Sequence, residues 1–268
     1  MKPYPSAFWL IASYYLLIAV IPKLKIILSA SDVEQTSKTE RVFVLTGAGI
    51  SAESGIPTFQ GTNWRGRSHY ELANIDAWNA GPALVWDYYS ERRRRARDAQ
   101  PNAAHFALGE FEQSRGSGTF FLCTQNVDNL HEAAGSRNLV HIHGQVFQTR
   151  CAEDCGRPGF HDTKDYQSED LPRCECGALQ RPDVVWFGEQ PYGLDRVFRE
   201  LEACDVFVAV GTSGNVQPVA GFVAQLKSGK KSVRTIFVGL EEPTNAGYFD
   251  EIYLGPATVK LTEALKHL

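Results

Sequence analysis

The chain has 268 residues, of which 43% are hydrophobic and 22% are charged, and it carries a formal net charge of -4. This length and apolar content are sufficient for one large domain with a buried core. The slight acidity, with a pI of about 6.0, argues against a nucleic-acid-binding protein, which normally has a basic face.

The N-terminal segment differs in composition from the rest of the chain. Residues 4–21 carry no charge, and Lys2, Lys23 and Lys25 flank them. This apolar stretch is near the lower limit for a bilayer span, and it also fits a signal-type or organelle-import segment. We therefore expect residues 1–40 to form a targeting or anchor segment with a polar linker, directed to the mitochondrion. The alternatives are a cytoplasmic or nuclear location, or a membrane anchor through residues 4–21; no other membrane contact is expected.

From residue 41 onward, short apolar strands alternate with helical patterns. Strands are predicted at residues 41–45, 119–124, 206–210 and 234–239. Helices are predicted at residues 82–98, 102–114, 194–203 and 216–228. The alternation is typical of an α/β fold with a Rossmann-like, doubly wound parallel sheet. Ligands of such sheets bind beyond the C-terminal ends of the strands, so motifs that follow different strands can meet in one cleft.

The first predicted strand leads directly into the glycine-rich run Gly47-Ala48-Gly49. Such a turn lets backbone N–H groups approach a diphosphate, and the N-terminus of a following helix adds partial positive charge. Taken alone, the run also fits a tight turn that binds no ligand. Two later strands are followed by Gln125-Asn126-Val127-Asp128 and Gly211-Thr212-Ser213. All three motifs are therefore expected at the same edge of the sheet.

A pair of histidines follows in the segment His141-Ile142-His143-Gly144. An imidazole with a pKa near neutrality is suited to removing a proton from a hydroxyl group, so His143 is a candidate general base. A histidine in such a loop also fits a purely structural role. If the segment is extended, His141 points to the opposite side and is not the catalytic candidate.

The basic run Arg92–Arg95 lies within the predicted helix 82–98. Successive residues of a helix point in different directions, so the run does not form one patch. We predict a solvated helix face for the run as a whole.

The six cysteines are Cys123, Cys151, Cys155, Cys174, Cys176 and Cys204. Cys123 and Cys204 lie in or beside apolar runs and are expected to be buried as small hydrophobic residues. The other four form two close pairs, with three and one intervening residues, within the aperiodic segment 150–181. In an intracellular protein this pattern favours a closed zinc site over disulfides. A metal-free module or a redox pair are the alternatives.

Together with Trp186-Phe187-Gly188-Glu189, these motifs resemble, in order, the sirtuin family of NAD-consuming protein deacylases. The resemblance extends from residue 41 to the C-terminus and implies a catalytic domain at 41–268 with a small zinc module at 150–181. It implies NAD and zinc as cofactors and acyl-lysine proteins or peptides as substrates. The sequence gives no prediction of the oligomeric state.

The resemblance also implies a set of site residues. His143 and Asn126 would be catalytic, and Cys151, Cys155, Cys174 and Cys176 would bind the metal. The cofactor-binding residues would be Gly47, Ala48, Gly49, Ala52, Gln125, Asn126, Asp128, Gly211, Thr212, Ser213 and Ala257.

Two further segments are implied to bind the substrate. Val185, Phe187 and Gly188 would pair with an extended peptide by β-augmentation. Tyr89 and Arg92 resemble the Tyr-x-x-Arg signature of class III sirtuins, which binds the distal carboxylate of succinyl-, malonyl- or glutaryl-lysine. A guanidinium pairs well with a carboxylate, and a phenol adds a hydrogen bond. Outside this context, Tyr-x-x-Arg is a common surface pattern.

We therefore predict NAD-dependent removal of acidic acyl groups from protein lysine, yielding nicotinamide and O-acyl-ADP-ribose. A plain deacetylase or ADP-ribosyltransferase of the same family, and a catalytically weak module that binds NAD or acyl-lysine, are the alternatives. Sirtuins usually carry an arginine where this chain has Gln60, and Arg65 or Arg67 is a hypothetical substitute for that charge.

Overall fold

The computed structural model describes residues 40–58, 63–229 and 232–268. The N-terminal targeting or anchor prediction falls on residues 1–40, of which all but the last lie outside this part, so it stays a prediction. Gln60 also lies outside the described residues. Within the described residues, none of the helices combines the length and apolar character needed to cross a bilayer.

The described elements alternate along the chain as strands and helices. The strands are β1 (Val42–Thr46), β2 (Asn63–Trp64), β3 (Arg67–Ser68), β4 (Phe120–Thr124), β5 (Leu139–His141), β6 (Gly144–Cys151), β7 (Phe160–His161), β8 (Gln180–Val184), β9 (Val206–Val210), β10 (Arg234–Gly239) and β11 (Glu251–Leu254). The α-helices are α1 (Gly49–Ala52), α2 (His69–Leu72), α3 (Ile75–Ala80), α4 (Pro82–Asp98), α5 (Ala103–Ser114), α6 (Leu130–Ala133), α7 (Leu194–Ala203), α8 (Phe222–Ser228) and α9 (Ala257–Leu265). Two short 3₁₀ helices cover Val219–Gly221 and Ala246–Tyr248.

The main sheet is parallel and has the strand order β11-β10-β9-β1-β4-β5. The main sheet has a hydrophobic core on each of its two faces. Alternate residues of β1 contribute to one core or the other, because successive side chains of a strand point to opposite faces. Val42 and Val44 pack on one face with residues of α5 and α9, while Phe43 and Leu45 pack on the other with residues of α7 and α8. The predicted doubly wound α/β fold is confirmed.

The strand order determines where a ligand-binding crevice can form. The chain leaves β1 toward β4 on one side and later returns to β9 on the other side. Loops that follow these strands therefore separate at β1, which creates a crevice at the C-terminal edge of the sheet.

A second, smaller sheet has the antiparallel order β7-β6-β8. It packs with α3 and α4 around a separate aromatic core that includes Trp78, Trp86 and Trp186. Segment 150–181, predicted as an inserted module, lies within this region. The strands of the sheet extend beyond that segment, from Gly144 to Val184.

The helices α4 and α7 have the predicted bounds, but the prediction of one helix over 216–228 was wrong. A 3₁₀ turn precedes α8, which begins only at Phe222. Pro218 disfavours the helical conformation in the residue before it, so a continuous helix cannot begin at residue 216. The short strands β5 and β11 were not predicted.

The prediction of a solvated face for the arginine run was also wrong. Arg93 is 0% exposed, and its guanidinium donates to the carboxylate of Asp162 and to the hydroxyl of Thr149. Arg92 is half-buried, and only Arg94 and Arg95 are exposed. The helix thus turns one arginine of the run into the small core, where hydrogen bonds compensate its charge.

Candidate active site

A cleft of about 730 Å³ opens at the C-terminal edge of the main sheet, next to the small sheet. This volume is within the usual range for a ligand site. All the predicted site residues other than the cysteines line this one cleft: Gly47, Ala48, Gly49, Ala52, Tyr89, Arg92, Gln125, Asn126, Asp128, His143, Val185, Phe187, Gly188, Gly211, Thr212, Ser213 and Ala257.

The glycine-rich loop after β1 is packed against the loop after β9. Gly47 N–H donates to the carbonyl of Val210, and Gly49 N–H donates to that of Gly211, both at 2.9 Å. A Cβ atom on Gly49 would lie 2.7 Å from the Cα of Gly211, so there is no space for a side chain. Close backbone approach is therefore the reason for glycine at this position, and it leaves a floor of main-chain atoms against which a diphosphate can fit. The following helix α1 has a single turn, so its dipole adds little.

Ser51 is the centre of a buried polar network beside this loop. Its hydroxyl donates to Asp128 Oδ2 and accepts from Asn126 Nδ2, each at 3.1 Å. His105 Nδ1 accepts the N–H of Asn102, so its proton is on Nε2, which lies 3.3 Å from Ser51 Oγ. The network fixes the carboxylate and the amide that face the cleft.

Burial determines the charge states in this network. It lowers the pKa of His105 to about 4, so the ring is neutral at pH 7. Burial also raises the pKa of Asp128, against the effect of hydrogen bonds from Leu130 N–H and Ser51. The neutral histidine can act only as a single donor to Ser51, which leaves the serine proton for Asp128.

His143 has the geometry of a general base. Its Nδ1 lies 3.1 Å from the carbonyl oxygen of Gln125, which can only accept, so the neutral ring carries its proton on Nδ1 and a lone pair on Nε2. Burial lowers the pKa of His143, with the Gln125 bond acting in the opposite direction. The ring is therefore an unprotonated base at neutral pH.

His141 has the opposite character. Its Nδ1 lies 2.7 Å from the carbonyl oxygen of Asn126, and its Nε2 lies 2.8 Å from a carboxylate oxygen of Glu132. Burial disfavours the charged ring, but the bond and the charge of Glu132 outweigh burial and raise the pKa of His141. With two acceptors as partners, the ring holds both protons and anchors the backbone of Asn126.

The segment after β8 forms one rim of the cleft. The N–H of Val185 donates to the carbonyl of His143, and the N–H of Phe187 donates to that of Ala73, both at 2.9 Å. Gly144 has a φ of +76°, and a Cβ atom there would lie 2.2 Å from the carbonyl of Asp183. Glycine at this position therefore lets β6 and β8 approach closely enough to place the rim beside His143.

Tyr89 and Arg92 enter the same cleft from α4, as their spacing of three residues predicts. Tyr89 is 4% exposed, and its hydroxyl accepts from Trp186 Nε1 at 3.0 Å. Burial raises the pKa of Tyr89 far above its usual value, so the phenol keeps its proton. Because the tryptophan already supplies a donor, the phenol proton is directed to another acceptor.

The four clustered cysteines meet at one point of the small module. Their sulfur atoms all lie within 4.8 Å of one another, and two contacts, Cys151 to Cys176 and Cys155 to Cys174, measure 3.6 Å. A tetrahedral site with Zn–S bonds of about 2.3 Å has sulfur–sulfur edges of about 3.8 Å. All four thiols are free of disulfides, and the N–H of Glu153 helps lower the pKa of Cys151 to about 7. This donor set fits a closed structural zinc ion.

The other two cysteines and two candidate arginines lie away from these sites. Cys123 and Cys204 are buried, as predicted. Arg65 stacks on Trp64, with its guanidinium carbon 4.3 Å from the ring centroid, and Arg67 is exposed. Neither Arg65 nor Arg67 is among the described residues that line the large cleft.

Sequence reasoning missed three residues that position the site: Ser51, His105 and Trp186. Ser51 lies two positions after Gly49, so its place in the glycine-rich loop was a usable signal. Trp186 stands in the quoted Trp186-Phe187-Gly188-Glu189 motif, but its hydrogen bond to Tyr89 is not apparent from the sequence, and no local pattern indicates His105.

Comparison with known proteins gives consistent results. The model of the Sir2 family matches residues 47–218. An NAD-dependent protein deacylase of Caulobacter vibrioides is 44% identical over 223 residues, covering 81% of this chain and 92% of the relative. A protein of the same description from Rhodopirellula baltica is 44% identical over 240 residues, covering 84% and 98%.

Solved structures resemble the fold over the same region. A Sir2 homologue in complex with NAD has a TM-score of 0.79 and 40% identity, covering 86% of this chain and 90% of that chain. A Sir2 protein bound to an acetylated peptide has a TM-score of 0.72 and 26% identity, covering 86% and 93%.

Proposed function

This chain belongs to the Sir2 family and is an NAD-dependent protein deacylase; on that premise, we propose that it acts preferentially on lysines carrying succinyl, malonyl or glutaryl groups. The observation that carries the proposal is the position of Arg92, which reaches the cleft beside the phenol of Tyr89. A half-buried guanidinium in the same cleft as a protonated phenol offers a carboxylate a charge partner and a hydrogen bond. An apolar acyl pocket would instead disfavour the desolvated carboxylate.

We assign the cofactor side of the cleft to the loops after β1, β4 and β9. NAD supplies the ribose carbon that accepts the acyl oxygen and releases nicotinamide. Gly47 and Gly49 leave space for the diphosphate, and Thr212 and Ser213 offer hydroxyl groups at the same edge. Asn126 and Asp128, held by Ser51, orient the nicotinamide ribose. Their role is to position reacting groups and exclude water.

We assign proton removal to Nε2 of His143. Its lone pair is unprotonated at neutral pH because Nδ1 is hydrogen-bonded to Gln125 and burial lowers the pKa of the ring. The base takes a proton from a ribose hydroxyl, which makes that oxygen a nucleophile. The substrate peptide extends along the rim formed by Val185, Phe187 and Gly188, with its acyl-lysine pointing toward Arg92.

The test is to replace Arg92 and compare matched succinyl-lysine and acetyl-lysine peptides. Arg92→Met keeps an unbranched, flexible stem but is shorter and removes the charge. We expect kcat/KM for the succinyl peptide to fall by about 10- to 100-fold, as for loss of a charge-assisted hydrogen bond. The acetyl peptide should change by less than about threefold. Nicotinamide release and deacylated peptide are both measured.

Arg94→Met is the matched control because Arg94 is exposed on the same helix. It should leave both substrates unaffected. Equal losses for the two peptides with Arg92→Met would remove the carboxylate role. Faster turnover of acetyl than succinyl peptide by the unmodified chain would identify a plain deacetylase, and transfer of ADP-ribose to protein without deacylation would identify an ADP-ribosyltransferase.

A further inference from the structure

Tyr88, the residue before Tyr89 on α4, is held rigidly behind the acyl end of the cleft. It is 1% exposed, and its ring lies against those of Trp64, His69 and Tyr89, with centroids 5.7, 5.6 and 4.9 Å away. These contacts fix the ring, so the position of its hydroxyl group is fixed as well.

That hydroxyl links two polar side chains. Arg92 Nη1 donates to Tyr88 Oη at 3.3 Å, and His69 Nδ1 lies 2.8 Å from the same oxygen. A guanidinium can only donate, so the phenol oxygen accepts from Arg92, and it shares a second hydrogen bond with His69 Nδ1 whose direction depends on the histidine tautomer. A neutral His69 ring can take part in this bond. Burial, together with the charges of Arg92 and Arg95, lowers the pKa of His69 and favours that state.

Arg92 has a second cavity on its other side. This cavity of about 200 Å³ is bordered by Arg92, Tyr88 and His69, and also by the carboxylates of Glu91 and Asp128. Trp64 Nε1 and Arg95 donate to Glu91, while Ser51 and the N–H of Leu130 donate to Asp128. A guanidinium that borders two cavities, both of them lined in part by acidic residues, needs a fixed anchor to keep one orientation.

We propose that Tyr88 and His69 are positioning residues that orient the Arg92 guanidinium toward the distal carboxylate of an acidic acyl group. The inference rests on the proposed acyl preference. It adds two residues that determine how strongly acidic acyl groups are preferred over acetyl groups. The ordered chain His69–Tyr88–Arg92 lowers the entropic cost of binding the carboxylate, because the guanidinium is oriented before the substrate arrives. Acetyl-lysine has no distal carboxylate, so its binding does not depend on the chain.

Tyr88→Phe tests the anchor because it removes one oxygen atom and keeps the ring contacts. We expect KM for a succinyl-lysine peptide to rise about five- to tenfold, the effect of one lost hydrogen bond to a charged group. KM for the acetyl peptide and kcat for both should stay within about twofold. Tyr253→Phe is the control, since it also removes a hydroxyl bonded to a side chain, that of Glu251, outside the cleft. Thermal unfolding of each variant checks that it folds.

His69 is tested by two substitutions that differ in hydrogen bonding. In His69→Asn, the side-chain amide can still form a hydrogen bond with the Tyr88 hydroxyl near the position of Nδ1, whereas His69→Leu removes the hydrogen-bond partner. We expect the succinyl KM of His69→Asn to remain closer to that of the unmodified chain than the KM of His69→Leu. Equal effects of the two variants on both peptides would mean that His69 only supports packing and would overturn its positioning role.

The outcomes separate this inference from the proposed function. If Arg92→Met is selective against succinyl peptide and Tyr88→Phe is not, the acyl preference stands and the positioning chain is rejected. If Arg92→Met shows no selectivity, both proposals fall.

Discussion

Two histidines separated by one residue show how a single hydrogen-bond partner determines the charge of an imidazole. His143 contacts a carbonyl oxygen through Nδ1, and burial lowers its pKa. His141 contacts a carbonyl and a carboxylate, and the interaction with Glu132 raises its pKa despite burial. One ring is therefore available as a base, and the other is a charged anchor of the loop that holds Asn126.

The lowered pKa of His143 has a measurable consequence for the pH dependence of the reaction. The base must be neutral, so kcat/KM falls as the pH drops through its pKa, which lies below the usual 6.5. We expect the acid limb of the profile for an acetyl-lysine peptide to have its midpoint below pH 6.5. The acetyl substrate has no carboxylate on its acyl group to titrate in this range.

The control for that profile is His143→Ala. It should lower the rate of deacylation by roughly 100-fold or more, the usual contribution of a general base, and remove the acid limb. An acid-limb midpoint above 6.5, or a limb that persists in the variant, would mean that another group titrates.

At the scale of the element, α4 carries both the proposed specificity residues and their support. Arg92 faces the cleft, while Arg93, one position later, is fully buried against the small sheet. Arg93 donates to the carbonyl of Val146, the hydroxyl of Thr149 and the carboxylate of Asp162, and so joins the helix to β6 and the segment after β7. The position of Arg92 at the cleft therefore depends on a buried ion pair of Arg93 with Asp162.

We expect Arg93→Leu to destabilise the protein by about 3–5 kcal/mol, because it leaves the Asp162 carboxylate buried without its charge partner. Urea unfolding measures this change. Arg94→Leu, on the exposed side of the same helix turn, removes a surface ion pair with Asp165 and should change stability by less than about 1 kcal/mol. Similar effects of the two substitutions would contradict the assigned role of Arg93.

At the scale of the whole molecule, the active cleft depends on both sheets. The large sheet supplies the loops that face NAD, and the small sheet supplies the rim beside His143. The cysteine cluster closes one end of the small sheet, since Cys151 is the last residue of β6. Loss of a structural metal would therefore loosen β6 and β8. Because the rim follows β8, the rim would become less ordered as well.

We expect the purified chain to contain about one zinc ion and Cys155→Ser to lose it, because a three-cysteine set no longer forms a closed site. Zinc content by mass spectrometry and the thermal midpoint are measured together, and both should fall. Cys204→Ala, a buried cysteine outside the cluster, should retain zinc. Metal-free unmodified protein, or full zinc retention by Cys155→Ser, would contradict the assignment.

Much of the fold was predictable because its signals are local. The strands β1, β4, β9 and β10 are largely apolar runs, and α7 is strongly amphipathic. The edge strands β5 and β11 are short and half-buried, so their composition resembles that of loops. The helix predicted over 216–228 was wrong at its start because Pro218 outweighs the apolar pattern around it.

The sequence by itself determined the central strands, the helices α4 and α7, the motifs after the strands and the family, because backbone preference, apolar periodicity and residue spacing are properties of short segments. Only the tertiary structure decided which of four consecutive arginines is buried, that Ser51 joins Asn126 to Asp128, and that His69 reaches Arg92 through Tyr88. Burial and hydrogen-bond partners depend on residues far apart in the chain. The charge and orientation of each catalytic group follow from those partners rather than from its own sequence neighbours.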